Sequence, residues 1–206
     1  MLITFEGIEG CGKTTQIGLL ADHLARRGYS VVRTREPGGT PFGEAMRELL
    51  LKKDMDVDPL CELMIIMAMR AQHVDEVILP ALRDGRIVLC DRFSDATYAY
   101  QGSGRKIDTA TIDTLNTMVT KGIRPNLTVL LDIPVEKGLR RRAASSDMDR
   151  IEGEDLSFHQ RVRAAYEKLA KEDPKRFFVV DANLKIEALH NLIRAKVENT
   201  LKSYGI

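Results

Sequence analysis

Long uncharged runs are missing from this sequence. No stretch approaches the ~20 apolar residues that a bilayer-spanning helix needs, which argues against an integral membrane protein. An excess of one charge sign is missing too. Thirty-one basic residues against thirty acidic ones leave a net charge of +1, which predicts no general adhesion to nucleic acid or to a membrane surface. Cysteine is scarce and odd in number. Cys11, Cys61 and Cys90 form no CxxC pair, so a reducing cytosol fits better than a disulfide framework or a zinc site. Met1–Glu6 has no basic region and meets an acid almost at once, so no signal peptide is expected. Internal repeats, low-complexity tracts and Pro/Gly/Ser linkers are also lacking, and residues 1–206 are read as one domain. A chain of this size buries ~65–75% of its unfolded surface and requires no covalent or metal staple.

What is present is a globular composition, 44% hydrophobic and 30% charged. Short apolar runs alternate with longer helical patterns, the signature of βαβ units around a parallel sheet. The strand candidates are Leu2–Glu6, Ser30–Thr34, Arg86–Cys90, Leu127–Ile133 and Phe177–Val180. Most are continuously apolar, as expected where helices cover both faces of a sheet. The patterns predict helices from Lys13 to Arg27, closed by Gly28, from Pro41 to Lys52, and from Pro59 to about Leu79. Others run from Asp108 to Lys121, Pro134 to Ala144, Glu154 to Asp173 and Ile186 to Ser203. Thr40-Pro41 and Asp58-Pro59 each place a capping side chain before a proline, a good helix start.

The first strand runs into Gly7-Ile8-Glu9-Gly10-Cys11-Gly12-Lys13-Thr14, a G-x4-G-K-[ST] loop that opens a helix, with Thr15 next along that helix. Glycines let backbone N–H groups turn inward around phosphate oxygens, where the helix N-terminus adds its positive end. Lys13 would reach the β- and γ-phosphates, and the Thr14 hydroxyl would ligate Mg²⁺. This pattern in this context implies a nucleoside triphosphate site.

The guanine motif N-K-x-D of GTPases is absent, and so is an ABC-type signature segment. Arginine-bearing segments appear instead. Arg33 and Arg35 flank Thr34 ahead of Glu36-Pro37-Gly38-Gly39-Thr40, Asp91-Arg92-Phe93 ends the third strand, and Arg140-Arg141-Arg142 precedes Asp149-Arg150-Ile151-Glu152. Ligands of α/β sheets bind at the carboxyl ends of the strands, so Asp91 and Arg92 should face the glycine loop. Arginines there would offset charge on a transferring phosphoryl group. Arg140–Arg142 are consecutive and fan around a helix, so one or two of them are expected at the site. Ser145-Ser146-Asp147-Met148-Asp149-Arg150 is polar and lacks apolar periodicity, as a lid over about 140–153 should.

Together these motifs resemble the bacterial thymidylate kinase family over essentially the whole chain. The most specific segment is Asp91-Arg92-Phe93-Ser94-Asp95-Ala96-Thr97-Tyr98-Ala99-Tyr100-Gln101-Gly102, similar to the family's D-R-x3-S-x2-A-Y-Q signature. Thr34–Thr40 and the stretch from Glu62-Leu63 to Arg70-Ala71-Gln72-His73 also match family segments. The resemblance implies an α/β P-loop kinase fold with a five-stranded parallel sheet and a lid. It also implies ATP- and Mg²⁺-dependent phosphorylation of dTMP to dTDP in dTTP synthesis, by a cytoplasmic homodimer. Carried onto this chain, it places Glu9 near the sugar 3′-hydroxyl, and Arg47 and Arg92 on the acceptor phosphate. Arg70 falls on the thymine carbonyl, with Thr97 and Gln101 at the base and Tyr100 crowding out a ribose 2′-hydroxyl. Asp91 would position Arg92 and the Mg²⁺ waters, and Glu36 falls on the substrate side. Cys11 stands where some members carry a basic residue, so the lid is expected to supply the catalytic charge through Arg150 and Arg142.

Two positions depart from the family pattern. Ile66 occupies the site of a phenylalanine that stacks on thymine, and Ala96 that of the signature serine. A monophosphate acceptor also suits the chemistry. With a second pKa near 6 it is already a nucleophilic dianion at neutral pH and needs no general base. Two other readings stay open from the residues: a nucleoside kinase with Glu9 or Glu36 as base, and a P-loop ATPase governed by a protein partner.

Overall fold

The apolar runs form five parallel strands, β1 (Leu2–Glu6), β2 (Val31–Arg35), β3 (Ile87–Asp91), β4 (Leu127–Asp132) and β5 (Phe177–Asp181), each within one residue of its expected bounds. The computed structural model describes residues 1–144 and 148–206. The sheet order is β2-β3-β1-β4-β5, so β1 lies centrally between β3 and β4. Successive residues of a strand face opposite sides. Ile3 and Phe5 of β1, with Ile87 and Leu89 of β3, therefore join the core that holds Ile17, Leu20 and Leu24. Leu2, Val88 and Cys90 join Val74, Ile78 and Phe93 on the other face. Both faces are covered, which is why the central strands read as unbroken apolar runs.

The helices are α1 (Lys13–Arg26), α2 (Pro41–Leu50), α3 (Pro59–His73), α4 (Leu79–Arg83), α5 (Ser94–Thr97), α6 (Thr109–Thr120), α7 (Val135–Ala143), α8 (Leu156–Glu172) and α9 (Ile186–Ser203). The two expected caps form: Thr40 Oγ1 accepts from the Gly43 N–H at 2.9 Å, and Asp58 Oδ1 from the Leu60 N–H at 2.8 Å. Pro134 caps α7 rather than opening it, and α2 stops at Leu50, short of Lys52.

Two larger departures concern π-helical turns. The helix expected to stop near Leu79 instead passes from α3 through a π turn, Val74–Ile78, into α4. Pro80 has no N–H and its ring crowds the carbonyl four residues back. The wider π turn just before it gives that ring room. The second π turn, Tyr98–Gly104, extends α5 through the signature segment. Two glycines in seven residues hide it from helix periodicity. Gly104 is there because a Cβ would stand 2.6 Å from the Phe158 ring of α8.

Candidate active site

The loop after β1 is held against α7 by backbone contact. A Cβ on Gly10, whose φ is 69°, would sit 2.0 Å from the Gly138 carbonyl oxygen, and one on Gly138 would sit 2.5 Å from that of Glu9. Gly12 caps α1 with φ 99°. Lys13 leaves the first turn of α1 and folds back, its Nζ donating to the carbonyls of Gly7 at 3.1 Å and Ile8 at 3.0 Å. Cys11 is buried beneath the loop, with Sγ 3.6 Å from that ammonium. Thr14 Oγ1 donates to Asp91 Oδ2 at 3.0 Å, joining the loop to the end of β3.

Arg92 takes a left-handed backbone, φ 69°, as the chain leaves β3. The turn aims its guanidinium across the sheet end. Nη2 donates to Glu9 Oε1 at 2.9 Å, Nη1 donates to the Gly7 carbonyl at 2.9 Å and to the Tyr166 hydroxyl at 3.1 Å, and the group lies 4.7 Å from the Tyr100 ring centroid. The Tyr100 hydroxyl donates to the same Glu9 oxygen at 2.5 Å. Burial acts to raise the Glu9 pKa, but Arg92, His159 and Lys13 outweigh it and hold the carboxyl well below the usual range. Glu9 Oε2 is buried with no hydrogen bond among the described residues; His159 Nδ1 lies 3.4 Å away.

A second group of buried polar residues lies deeper. Arg70 of α3 is 2% exposed. Its Nε donates to Glu36 Oε2 at 2.6 Å, Nη1 to Thr97 Oγ1 at 2.8 Å and Asn116 Oδ1 at 2.6 Å, and Nη2 to the Phe93 carbonyl at 3.0 Å. An arginine has five N–H donors, so one of the two on Nη2 has no partner among the described residues. His73 Nδ1 lies 2.9 Å from the other Glu36 oxygen. Burial would raise the Glu36 pKa, but Arg70 and His73 lower it. Gln101 of the second π turn donates through Nε2 to Glu62 Oε1 at 2.9 Å.

Glu9, Arg92 and Tyr100 of the first group and Glu36, Arg70, Thr97 and Gln101 of the second line one cleft of about 510 Å³ outside the carboxyl ends of β1 and β3. All the expected site residues line it except Gly7, Ile8, Cys11 and Arg150. Ile8 and Cys11 are core residues under the loop, and Gly7 is pressed against β4. Arg150, expected to bring charge to the phosphates when the lid closes, does not line the cleft in this structure. Its Nε donates to the Leu50 carbonyl at 3.0 Å and its Nη2 to Glu62 Oε2 at 2.7 Å. Arg142 and Arg141 do line the cleft; Arg142 Nε donates to Glu152 at 2.5 Å and Arg141 Nη1 to the Ala182 carbonyl at 3.0 Å. Ser145, Ser146 and Asp147 of the expected lid lie outside the described residues. Arg47 Nη1 donates to the Pro37 carbonyl at 2.7 Å at the cleft wall.

Sequence reasoning missed Asn116, Tyr166 and His159. Each is a single residue on a helix of ordinary spacing, with no motif to mark it. Their roles arise when α6 and α8 pack beside the signature segment.

A parallel sheet whose central strand feeds a glycine loop and a lysine-bearing helix, with arginines gathered at the strand ends, defines a P-loop kinase fold. The family model for thymidylate kinase matches residues 5–193. Curated thymidylate kinases of Geotalea uraniireducens and Pelobacter propionicus are 50% and 53% identical over 202 residues, spanning 95% of this chain and 95% and 92% of theirs. The crystal structure of thymidylate kinase from Ehrlichia chaffeensis is 38% identical with a TM-score of 0.80, covering 96% of this chain and 98% of that one. The chain belongs to the thymidylate kinase family and is an enzyme.

Proposed function

We propose that this enzyme transfers the γ-phosphoryl group of ATP to the 5′-phosphate of dTMP, giving dTDP for dTTP synthesis. The observation that carries the reading is Arg70: a buried guanidinium with four donors committed and one without a partner among the described residues, in the same cleft as Lys13 and Arg92. One donor fixed so firmly suits a single carbonyl acceptor, the O4 of thymine. Ile66, Thr97 and Gln101 supply the rest of the base wall.

At the phosphate end the protein aligns two polyanions and screens their repulsion. Lys13 exchanges its loop carbonyls for the β- and γ-phosphate oxygens. Arg92 and Arg47 hold the acceptor phosphate, and Arg142 enters from the lid over about 140–153. The Glu9 Oε2 acceptor, buried and without a hydrogen bond among the described residues, suits the sugar 3′-hydroxyl, while Tyr100 fills the space a 2′-hydroxyl would need.

The Thr14 hydroxyl and Asp91 carboxylate, already at hydrogen-bond distance, are hard oxygen donors that fit Mg²⁺, an ion that takes one or two protein oxygens plus waters and phosphates. Thr14 and Asp91 would hold the ion, and its charge would offset that of the phosphates.

A nucleoside kinase would require a carboxylate base. Glu36 has both oxygens engaged, by Arg70 and His73, and Glu9 is held strongly anionic and therefore weakly basic. The family resemblance adds a cytoplasmic homodimer to the reading, and we take the chain as one P-loop unit. The test is ADP release from the purified protein with ATP and Mg²⁺, alone or with dTMP, dCMP or thymidine. Release that requires dTMP supports the reading. Release driven by thymidine, or unaffected by any acceptor, overturns it.

A further inference from the structure

Glu62 of α3 is fully buried, yet no part of the phosphate-transfer argument uses it. Oε1 accepts from Gln101 Nε2 at 2.9 Å and Arg105 Nε at 3.2 Å. Oε2 accepts from Arg105 Nη2 at 3.1 Å and Arg150 Nη2 at 2.7 Å. Burial opposes ionisation, but Arg105, Gln101 and Arg150 outweigh it and keep the Glu62 pKa below its ordinary value. An ionised carboxylate can only accept hydrogen bonds. The end of the Gln101 amide that meets Glu62 is therefore its NH₂, and the amide oxygen is the end left for the cleft that Gln101 lines.

That orientation has a consequence for base selection. Thymine and uracil present a carbonyl at position 4 beside an N3–H donor. Cytosine presents an amino donor beside a bare N3 acceptor. Arg70 offers a donor for the first position; an amide oxygen at Gln101 offers an acceptor for the second. An amide turned the other way would offer a donor to N3 and favour cytosine there.

We propose that Glu62 is a positioning residue for base specificity, fixing the polarity of the Gln101 amide so that an acceptor faces N3 of the base. Arg105 and Arg150 serve this role by keeping Glu62 in its acceptor-only form. The inference rests on the dTMP reading above.

The experiment is kcat/KM for dTMP, dUMP and dCMP with the full chain and its Glu62→Gln variant. A glutamine at 62 can donate as well as accept, so the Gln101 amide is free to turn. The variant should lose at least tenfold in kcat/KM for both dTMP and dUMP, chiefly through KM, while dCMP is unchanged or improves. A merely structural role would lower all three alike, and an unchanged preference would show that polarity is not set by Glu62; either overturns the proposal. Should Glu62→Gln fail to fold, Gln101→Leu carries the test. It should narrow the dTMP-over-dCMP preference by a similar factor, and wild-type preference in that variant also overturns the proposal. Wild-type protein that does not phosphorylate dTMP would instead sink the functional reading. Wild-type discrimination left intact by both substitutions sinks only the role of Glu62.

Discussion

Thr14 and Asp91 lie 77 positions apart, yet the threonine hydroxyl donates to the aspartate at 3.0 Å. The contact exists because β1 and β3 are parallel neighbours, with Phe5 level with Asp91. The loop leaving one strand and the carboxylate ending the other meet at the same edge of the sheet. Lys13 and Arg92 converge there by the same route, which makes this edge the place where substitutions should separate chemistry from folding.

Lys13→Ala should abolish phosphoryl transfer while the fold persists. Among the described residues the ammonium donates to two carbonyls and the Cys11 sulfur of its own loop and forms no ion pair, so its removal breaks no buried salt bridge. The loss of transition-state stabilisation should be on the order of 3–4 kcal/mol, or 10²–10³ in kcat. Steady-state ADP release beside a thermal melt checks both halves; activity within tenfold of wild type contradicts the role.

Arg142 and Arg150 should behave differently. Arg142 lines the cleft, so Arg142→Ala should lower kcat far more than it changes the KM for dTMP. Arg150 sits on Glu62, which the dTMP reading places on the base side, so Arg150→Ala should act mainly on that KM. A collapse of kcat in Arg150→Ala would show that the side chain leaves Glu62 and reaches ATP when the lid closes.

Ile66→Phe restores the family's stacking face on the cleft wall. An aromatic stack is worth ~1 kcal/mol, about fivefold in affinity, so the KM for dTMP should fall by about that factor. An unchanged or higher KM would mean that the surrounding side chains leave no space for the ring.

Glu6 gives a pH signature of stability. It is buried, accepting from the Phe93 N–H at 2.8 Å and the Tyr166 hydroxyl at 2.7 Å. Burial first, and the nearby Asp95 second, push its pKa from 4.5 up to about 8. Between those values the folded state holds a proton that the unfolded chain releases. The stabilisation is therefore complete below pH 4.5 and lost as pH rises through about 8. Melts at pH 5 and pH 8.5 should show the decline, and Glu6→Gln, which cannot ionise, should flatten it. Equal slopes for both proteins would remove Glu6 from the account.

By itself, the sequence determined the five strands, the longer helices and the glycine-loop part of the site, but not the two π-helical turns. Apolar runs too short for buried helices had to be strands, and Thr40-Pro41 and Asp58-Pro59 had to start helices, because these are local effects of side-chain period and capping. The glycine loop with Lys13 and Thr14 was legible for the same reason: its chemistry lies within eight consecutive residues. Tertiary structure decided what depends on distant partners. The strand order that carries Arg92 onto Glu9, the packing of α6 that brings Asn116 to Arg70, and the seat of Arg150 on Glu62 leave no local pattern. A charged side chain is placed by where its counter-charge is buried, and only the folded chain sets that position.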